Sequence, residues 1–158
     1  MLDIDHSPQQ RTEELWRTYS AALVQFATVL VGPTDANDVV VEAFLRASAV
    51  VVSGSVDAPK PYLYRAVVNQ AKDWQRARER RWRRDLTAVG PSHVMAPDTY
   101  VDVRRAIANL SLGQRTVIYL AYWEDLTERE IALALSLSPG TVRRHLVRAK
   151  AHLRKALP

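Results

Sequence analysis

The 158-residue chain is 47% hydrophobic and 25% charged, carries a formal net charge of +5 and contains no cysteine. That length suits one domain or two small ones, and the missing cysteine excludes disulfides and thiolate metal sites. The opening residues MLDIDHSPQQRTEELW hold acids and no apolar run, so they are not read as a secretory signal. The longest apolar run, Ala47 to Val52 with Ser48 inside it, is far short of the about 20 residues that span a membrane. The expectation is a soluble, cytoplasmic protein with no membrane contact. Its charge is uneven: residues 1–57 hold 3 Lys/Arg against 8 Asp/Glu, residues 58–98 hold 9 against 4, and residues 99–158 hold 10 against 5. An acidic front therefore precedes two basic blocks, each on a predicted helix, which points to a polyanionic partner.

No strand-like alternation persists, and the chain reads as all-α. Leu15, Tyr19, Ala22, Leu23, Phe26 and Leu30 recur at helical spacing and predict a first helix over about residues 10–31. Gly32-Pro33 stops it. Thr34 is the expected cap of a second helix running to about Val52. On that helix, at about 100° per residue, Val40, Ala43, Phe44, Ala47 and Val51 form a core stripe. Val41, Leu45, Ser48 and Val52 form a second apolar strip, bordered by Asp38, Glu42 and Arg46. Spacing alone leaves two readings of that strip: a centrally buried helix, or a protein interface.

SGSVDAPKP (53–61) reads as a loop, and Pro61 is expected to open a long helix ending near Arg84. Its last part, NQAKDWQRARERRWRRD (69–85), sets six arginines and Lys72 around Trp74 and Trp82. Lys72, Arg76 and Arg80 recur at helical spacing. Trp74 shares the register of Leu63, Val67 and Gln70 and reads first as core packing. Trp82 lies beyond that register, either as a stacking residue or as part of a frayed helix end.

LTAVGPSHVMAPDT (86–99) has Gly, two Pro and no periodicity, and is read as a flexible linker between two small helical domains. The second domain is expected to begin near Tyr100. Ser111 with Gln114 and Thr127 with Glu130 are capping boxes, predicting helices over about 112–124 and 128–136. Ser138 caps the last helix, with Pro139 at its first position. Ile131, Ala132, Leu135 and Leu137 are expected to form one apolar face, and Val142, Leu146, Ala149, Leu153 and Leu157 another. Two short helices joined by a tight turn, the second basic on its outer side, make a helix-turn-helix. The N-terminal end of its second helix enters the major groove. Ser138, Gly140, Thr141, Arg143, Arg144, Val147 and Arg148 are therefore the candidate DNA-binding residues. Glycine allows close backbone approach, and arginine pairs with guanine edges or phosphates. The four histidines (His6, His93, His145, His152) are scattered, with no phosphate-cradling Gly loop or Ser/His/Asp set. No enzyme, cofactor or metal site is expected. His145 and His152 are expected to face DNA or solvent.

Taken in order, these stretches resemble the small extracytoplasmic-function (group IV) class of bacterial RNA polymerase sigma factors over nearly the whole chain. DANDVVVEAFLRA (35–47) is similar to region 2.2. YLYRAVVNQAKDWQRARERR (62–81) is similar to regions 2.3 and 2.4. LSLGQRTVIYLAYWEDLTEREIALALSLSPGTVRRHLVRAKAHLR (110–154) is similar to regions 4.1 and 4.2. Val41 and Ser48 stand where family members usually carry Gln and Trp, and the linker carries fewer acids than is usual. The resemblance implies a region 2 helical bundle at 1–85, a linker at 86–99 and a region 4 helix-turn-helix at 100–158, with no further C-terminal domain. It implies core RNA polymerase as a partner through the β′ clamp and β flap, the clamp meeting Asp38, Val41, Glu42, Leu45 and Arg46. It implies promoter DNA as the second partner. Asn69, Lys72, Arg76 and Arg80 would hold the melted −10 element, and the last helix would read the −35 duplex. An anti-sigma protein silences many members. The rival is a response-regulator-type factor, a dimer reading duplex DNA, which fits 126–146 and leaves 34–84 unexplained.

Overall fold

A computed structural model of the chain describes residues 6–85 and 99–157. Among them the regular structure is entirely helical: α1 (Pro8–Val31), α2 (Ala36–Val52), α3 (Pro59–Arg84), α4 (Thr99–Ala108), α5 (Leu112–Tyr122), α6 (Glu128–Leu135) and α7 (Pro139–Ala156). The chain divides into two compact units, Met1–Ala71 and Lys72–Pro158, so the division falls within α3. The expected linker at 86–99 lies outside the described residues except for Thr99.

In the first unit, α1 starts at Pro8, two residues before the expected start at about residue 10. Ser7 accepts from the Gln10 amide at 3.3 Å while the Gln10 side chain accepts from the Ser7 amide at 2.9 Å, and Pro8 fills the first turn. Two amide donors that the helix itself leaves without acceptors are satisfied there. α1 stops at Gly32, whose φ of 87° suits glycine. Leu23, Phe26, Ala27, Leu30 and Val31 are buried on it. The expected stripe on α2, Val40, Ala43, Phe44, Ala47 and Val51, is buried throughout. α2 packs on α1. Trp16 meets Phe44 edge-on at 4.9 Å, and Phe26 lies 4.8 Å from Tyr64 of α3. Side chains of this size each contribute about 1.5–3 kcal/mol on burial.

Two starts differ from expectation. Thr34 lies in a turn, and Asp35 takes the cap position of α2 without a side-chain bond. α3 begins at Pro59 rather than Pro61. The first-turn amides of a helix have no intrahelical acceptor, so a proline at the first and third positions removes no bond. Leu63, Tyr64, Val67, Val68 and Ala71 are buried on α3, and nothing from Lys72 to Asp85 is.

In the second unit, α4 is an element that the sequence pattern left unassigned beyond Tyr100. Both expected capping boxes form. Ser111 pairs with Gln114 and Thr127 with Glu130, the amide-to-hydroxyl bond being 3.2 Å in each. α5 ends at Tyr122, and the chain turns through Asp125 at a φ of 54°. α6 ends at Ser136, which takes the left-handed conformation with φ 54°, and the Leu137 amide donates to Ala132 O at 2.9 Å. That closure turns the chain sharply into Ser138, the cap of α7, which accepts from the Thr141 amide at 3.1 Å. α7 packs against α4, α5 and α6. Ile131, Ala132, Val142, Leu146 and Ala149 are buried as expected, with Leu135, Leu153 and Leu157 partly so. Leu137 is not: it stands 37% exposed because the tight turn carries it off the apolar face.

Candidate nucleic-acid interface

The exposed side of α7 is cationic. Val142, Leu146 and Ala149 take the inner positions, which sends Arg143, Arg144, Val147 and Arg148 into solvent. Val147 is 61% exposed, an apolar side chain among arginines. Ser138 and Gly140 are exposed at the helix start and Thr141 is half-buried. The Ser138 and Thr141 hydroxyls lie 2.8 Å apart. A Cβ added at Gly140 would meet nothing within 4 Å, so the fold itself does not call for glycine there. All seven sequence-predicted residues thus lie on the first three turns of one helix or at its cap. Its unpaired amides favour an anion at that end.

Arg143 is oriented by a residue that sequence reasoning missed. Its Nε donates to Glu128 Oε2 at 3.0 Å, from the start of α7 to the start of α6. Local patterns assign Glu128 only to the first turn of its own helix. Nothing in the spacing announces a pair fifteen residues apart.

His145 corrects an expectation. It is half-buried rather than facing solvent or DNA, and its ring lies over Gly113 of α5 so closely that a Cβ there would come within 2.9 Å of His145 Cε1. Burial first, then the positive charges of Arg144, Arg148 and Lys72, holds the imidazole below its ordinary value of 6.5. Neutral and packed, it is a structural residue. Nearby on α5, burial and secondarily Glu124 push the Tyr119 phenol up to about 12, which keeps it protonated. Tyr119 stacks with Trp123 at 6.1 Å. Tyr122 and Trp123 are both exposed, and Lys150 Nζ sits 5.6 Å from the Tyr122 ring. This aromatic pair was also missed, although the YWED run at a helix end carries a visible signal.

The basic end of α3 differs in kind. Asn69, Lys72, Arg76 and Arg80 are exposed, with Arg76 3.4 Å from Asp73. Trp74 is half-buried under the Arg78 guanidinium, 5.2 Å from its ring centre, which is neither the full core position expected of its register nor an open stacking face. Trp82 is 70% exposed.

On α2, Asp38, Val41, Glu42, Leu45 and Arg46 share one exposed face. Val41 is 43% and Leu45 68% exposed, while Ser48 on the same strip is buried. The helix is therefore not buried all round. The strip opens to solvent at its N-terminal half, between charges, as a protein interface requires.

Among the described residues no group of three or more His, Asp or Glu stands together to hold a metal ion, and no helix is long and apolar enough to cross a membrane.

Comparison with known proteins bears on the whole chain. The family described as Sigma-70, region 4 matches residues 100–153. The RNA polymerase sigma-E factors of Streptomyces avermitilis and Streptomyces coelicolor are 33% and 34% identical to it. Those alignments cover 96% and 92% of this chain and 88% and 85% of theirs. The solved structure of the sigma factor RpoE in complex with the anti-sigma factor NepR from Bartonella quintana matches with a TM-score of 0.72 at 22% identity, over 91% of this chain and 94% of that one. At that identity the likeness speaks for the fold. The response-regulator reading finds no support in any of these.

Proposed function

The chain belongs to the extracytoplasmic-function sigma factors of RNA polymerase and directs transcription initiation; on that premise we propose how its surfaces divide the work. Residues 1–85 act as region 2, residues 86–99 as a linker and residues 100–158 as region 4. The exposed face of α2 docks on the β′ clamp: Val41 and Leu45 supply apolar contact, and Asp38, Glu42 and Arg46 set register at its rim. The exposed aromatic pair Tyr122 and Trp123 supports a second protein contact from the other unit, for which the β flap is the candidate.

DNA is held in two states. α7 reads the −35 duplex from the major groove, with Arg143 and Arg144 on base edges or phosphates, Val147 suited to a thymine methyl, and Ser138, Gly140, Thr141 and Arg148 along the backbone. The end of α3 holds the melted −10 strand. Lys72, Arg76 and Arg80 neutralise phosphates, Trp82 offers a stacking face, and Asn69 hydrogen-bonds the pairing edge of an unstacked base. Binding the open state better than the closed one is what lowers the cost of melting. The protein itself performs no covalent chemistry. It works in the cytoplasm beside the polymerase, and an anti-sigma protein that covers the exposed faces of α2 and α7 would silence it.

One observation carries this reading: Leu45, a large apolar side chain left in solvent between charges, sits on the same chain as a cationic helix capped by Ser138 and backed by Val142, Leu146 and Ala149. The test is run-off transcription by purified core polymerase on a promoter library, with and without the chain. Transcripts from a defined promoter set should depend on it, and Leu45→Asp should abolish them by blocking association with core enzyme. A chain that fails to bind core polymerase overturns the proposal.

A further inference from the structure

The Glu128–Arg143 pair has no evident structural duty. The Arg143 side chain is 69% exposed and that of Glu128 38%, and ion pairs open to solvent in this way contribute little to stability. The dipole at the start of α6 is already served by Glu130, whose carboxylate accepts from the Thr127 amide at 2.8 Å. A carboxylate beside a helix that approaches phosphates also carries a cost, because like charges repel. Glu128 therefore needs a reason to be there, and its geometry supplies one. It takes the Nε of Arg143, at 3.0 Å, and so fixes the rotation of the guanidinium. A guanidinium has five N–H donors in a rigid fork. With Nε engaged, the end-on pair Nη1 and Nη2 is the donor set that remains to match two acceptors side by side. Guanine offers such a pair, O6 and N7, in the major groove.

We propose that Glu128 is a positioning residue for promoter reading: it holds Arg143 so that the base pair facing it is read as guanine through an end-on fork. The inference rests on the reading of α7 as the helix that enters the −35 duplex. It assigns the two adjacent arginines different tasks, Arg143 to a base and Arg144 to phosphate or a flanking edge. It also gives Glu128 two opposed effects, sharper discrimination and weaker binding to arbitrary duplex.

The test uses holoenzyme assembled from core polymerase and the full chain, on promoter duplexes varied one base pair at a time upstream, and with 7-deazaguanine in place of each guanine. Wild type should lose about tenfold or more in affinity at one position on either change, the discrimination of a good bidentate contact. Glu128→Gln should reduce that ratio to about threefold or less and strengthen binding to unrelated duplex, with an unchanged melting temperature; the effect on discrimination should vanish in an Arg143→Lys background, since lysine has no Nε to hold, while the gain in unspecific binding, which comes from the lost carboxylate alone, should remain. Glu128→Gln with wild-type discrimination overturns the proposal, as does an effect on discrimination that persists with Lys at 143. If Arg143→Ala and Arg144→Ala both leave −35 binding intact, the reading of α7 fails instead, and the inference with it. If Arg143→Ala weakens binding while Glu128→Gln changes nothing, only the positioning role is lost.

Discussion

α7 returns an apolar side chain to the core at Val142, Leu146 and Ala149, whereas α3 buries nothing after Ala71 and runs on to Arg84 with its cations and Trp82 in solvent. Both segments are basic, yet only α7 has a packed back along its cationic stretch; α3 keeps its buried side chains before Lys72. A duplex has fixed edges, so a helix that reads them gains from being held still by caps, by its core and by an ion pair at its leading arginine. A melted strand has no fixed shape. A segment that captures it gains from aromatic and cationic side chains free to follow unstacked bases. On the division of work proposed above, the difference in burial separates two ways of holding the same polymer.

The contrast breaks most readily at the core of α7. Leu146→Ala should cost about 2–5 kcal/mol in chemical denaturation and abolish −35 duplex binding. Trp82→Ala should change stability by no more than about 0.5 kcal/mol. If both were equally destabilising, the end of α3 would be packed after all. On the α3 side, Trp82→Ala and Asn69→Ala should each weaken open-complex formation by about 1–3 kcal/mol, the worth of a stacked base for the first and of a pairing edge left without its partner for the second, while leaving closed-complex affinity nearly unchanged. Equal loss in both steps would remove the distinction.

The Gly113–His145 contact offers a structural control. Gly113→Ala should destabilise by about 1–3 kcal/mol through overpacking, and pairing it with His145→Ala should recover most of that loss in thermal melts. The histidine also gives a smaller, pH-dependent effect. Its folded value lies below the ordinary 6.5, so near pH 6 the unfolded chain binds more protons than the folded one. Stability should be full above about pH 6.5 and fall as pH drops from there through the lowered folded value. The slope should disappear in His145→Gln. Smallest of all, Gly140→Ala should raise stability by about 0.5 kcal/mol, because glycine in a helix is entropically costly. Duplex binding should nonetheless fall if, as proposed, the added methyl stands where the backbone meets DNA. A variant that gained in both would show that the glycine is not there for close approach.

Apart from α4 and the cap of α2, elements and caps were legible from local signals. The stripe on α2 and the boxes at Ser111 and Thr127 depend on residues three or four apart, and those spacings are the helix's own periodicity. Starts were less legible where two signals competed: Thr34 and Asp35 both qualify as caps, and Pro59 and Pro61 both fit a first turn. The candidate surfaces were legible as sets, since every residue named on α2, α3 and α7 lies on an exposed face except Thr141, which is half-buried. Individual fates were not. Leu137 is expected on one face with Ile131, yet six residues on it falls about 240° round a helix, and it lies past the left-handed Ser136, where the period no longer applies. His145 and Arg148 both stand beside arginines on α7, yet one packs and the other is solvated, a choice made by a glycine more than thirty residues earlier.

By itself the sequence determined an all-helical protein, the order of every helix but α4, its two basic blocks and a helix-turn-helix at its end, because propensity, capping and charge act over one or two turns. The tertiary structure alone decided that Glu128 would hold Arg143, that Gly113 would admit His145, and that Val41 and Leu45 would remain in water while Ser48 did not. Those are meetings between side chains distant in sequence, and no local spacing encodes which faces of two helices will touch.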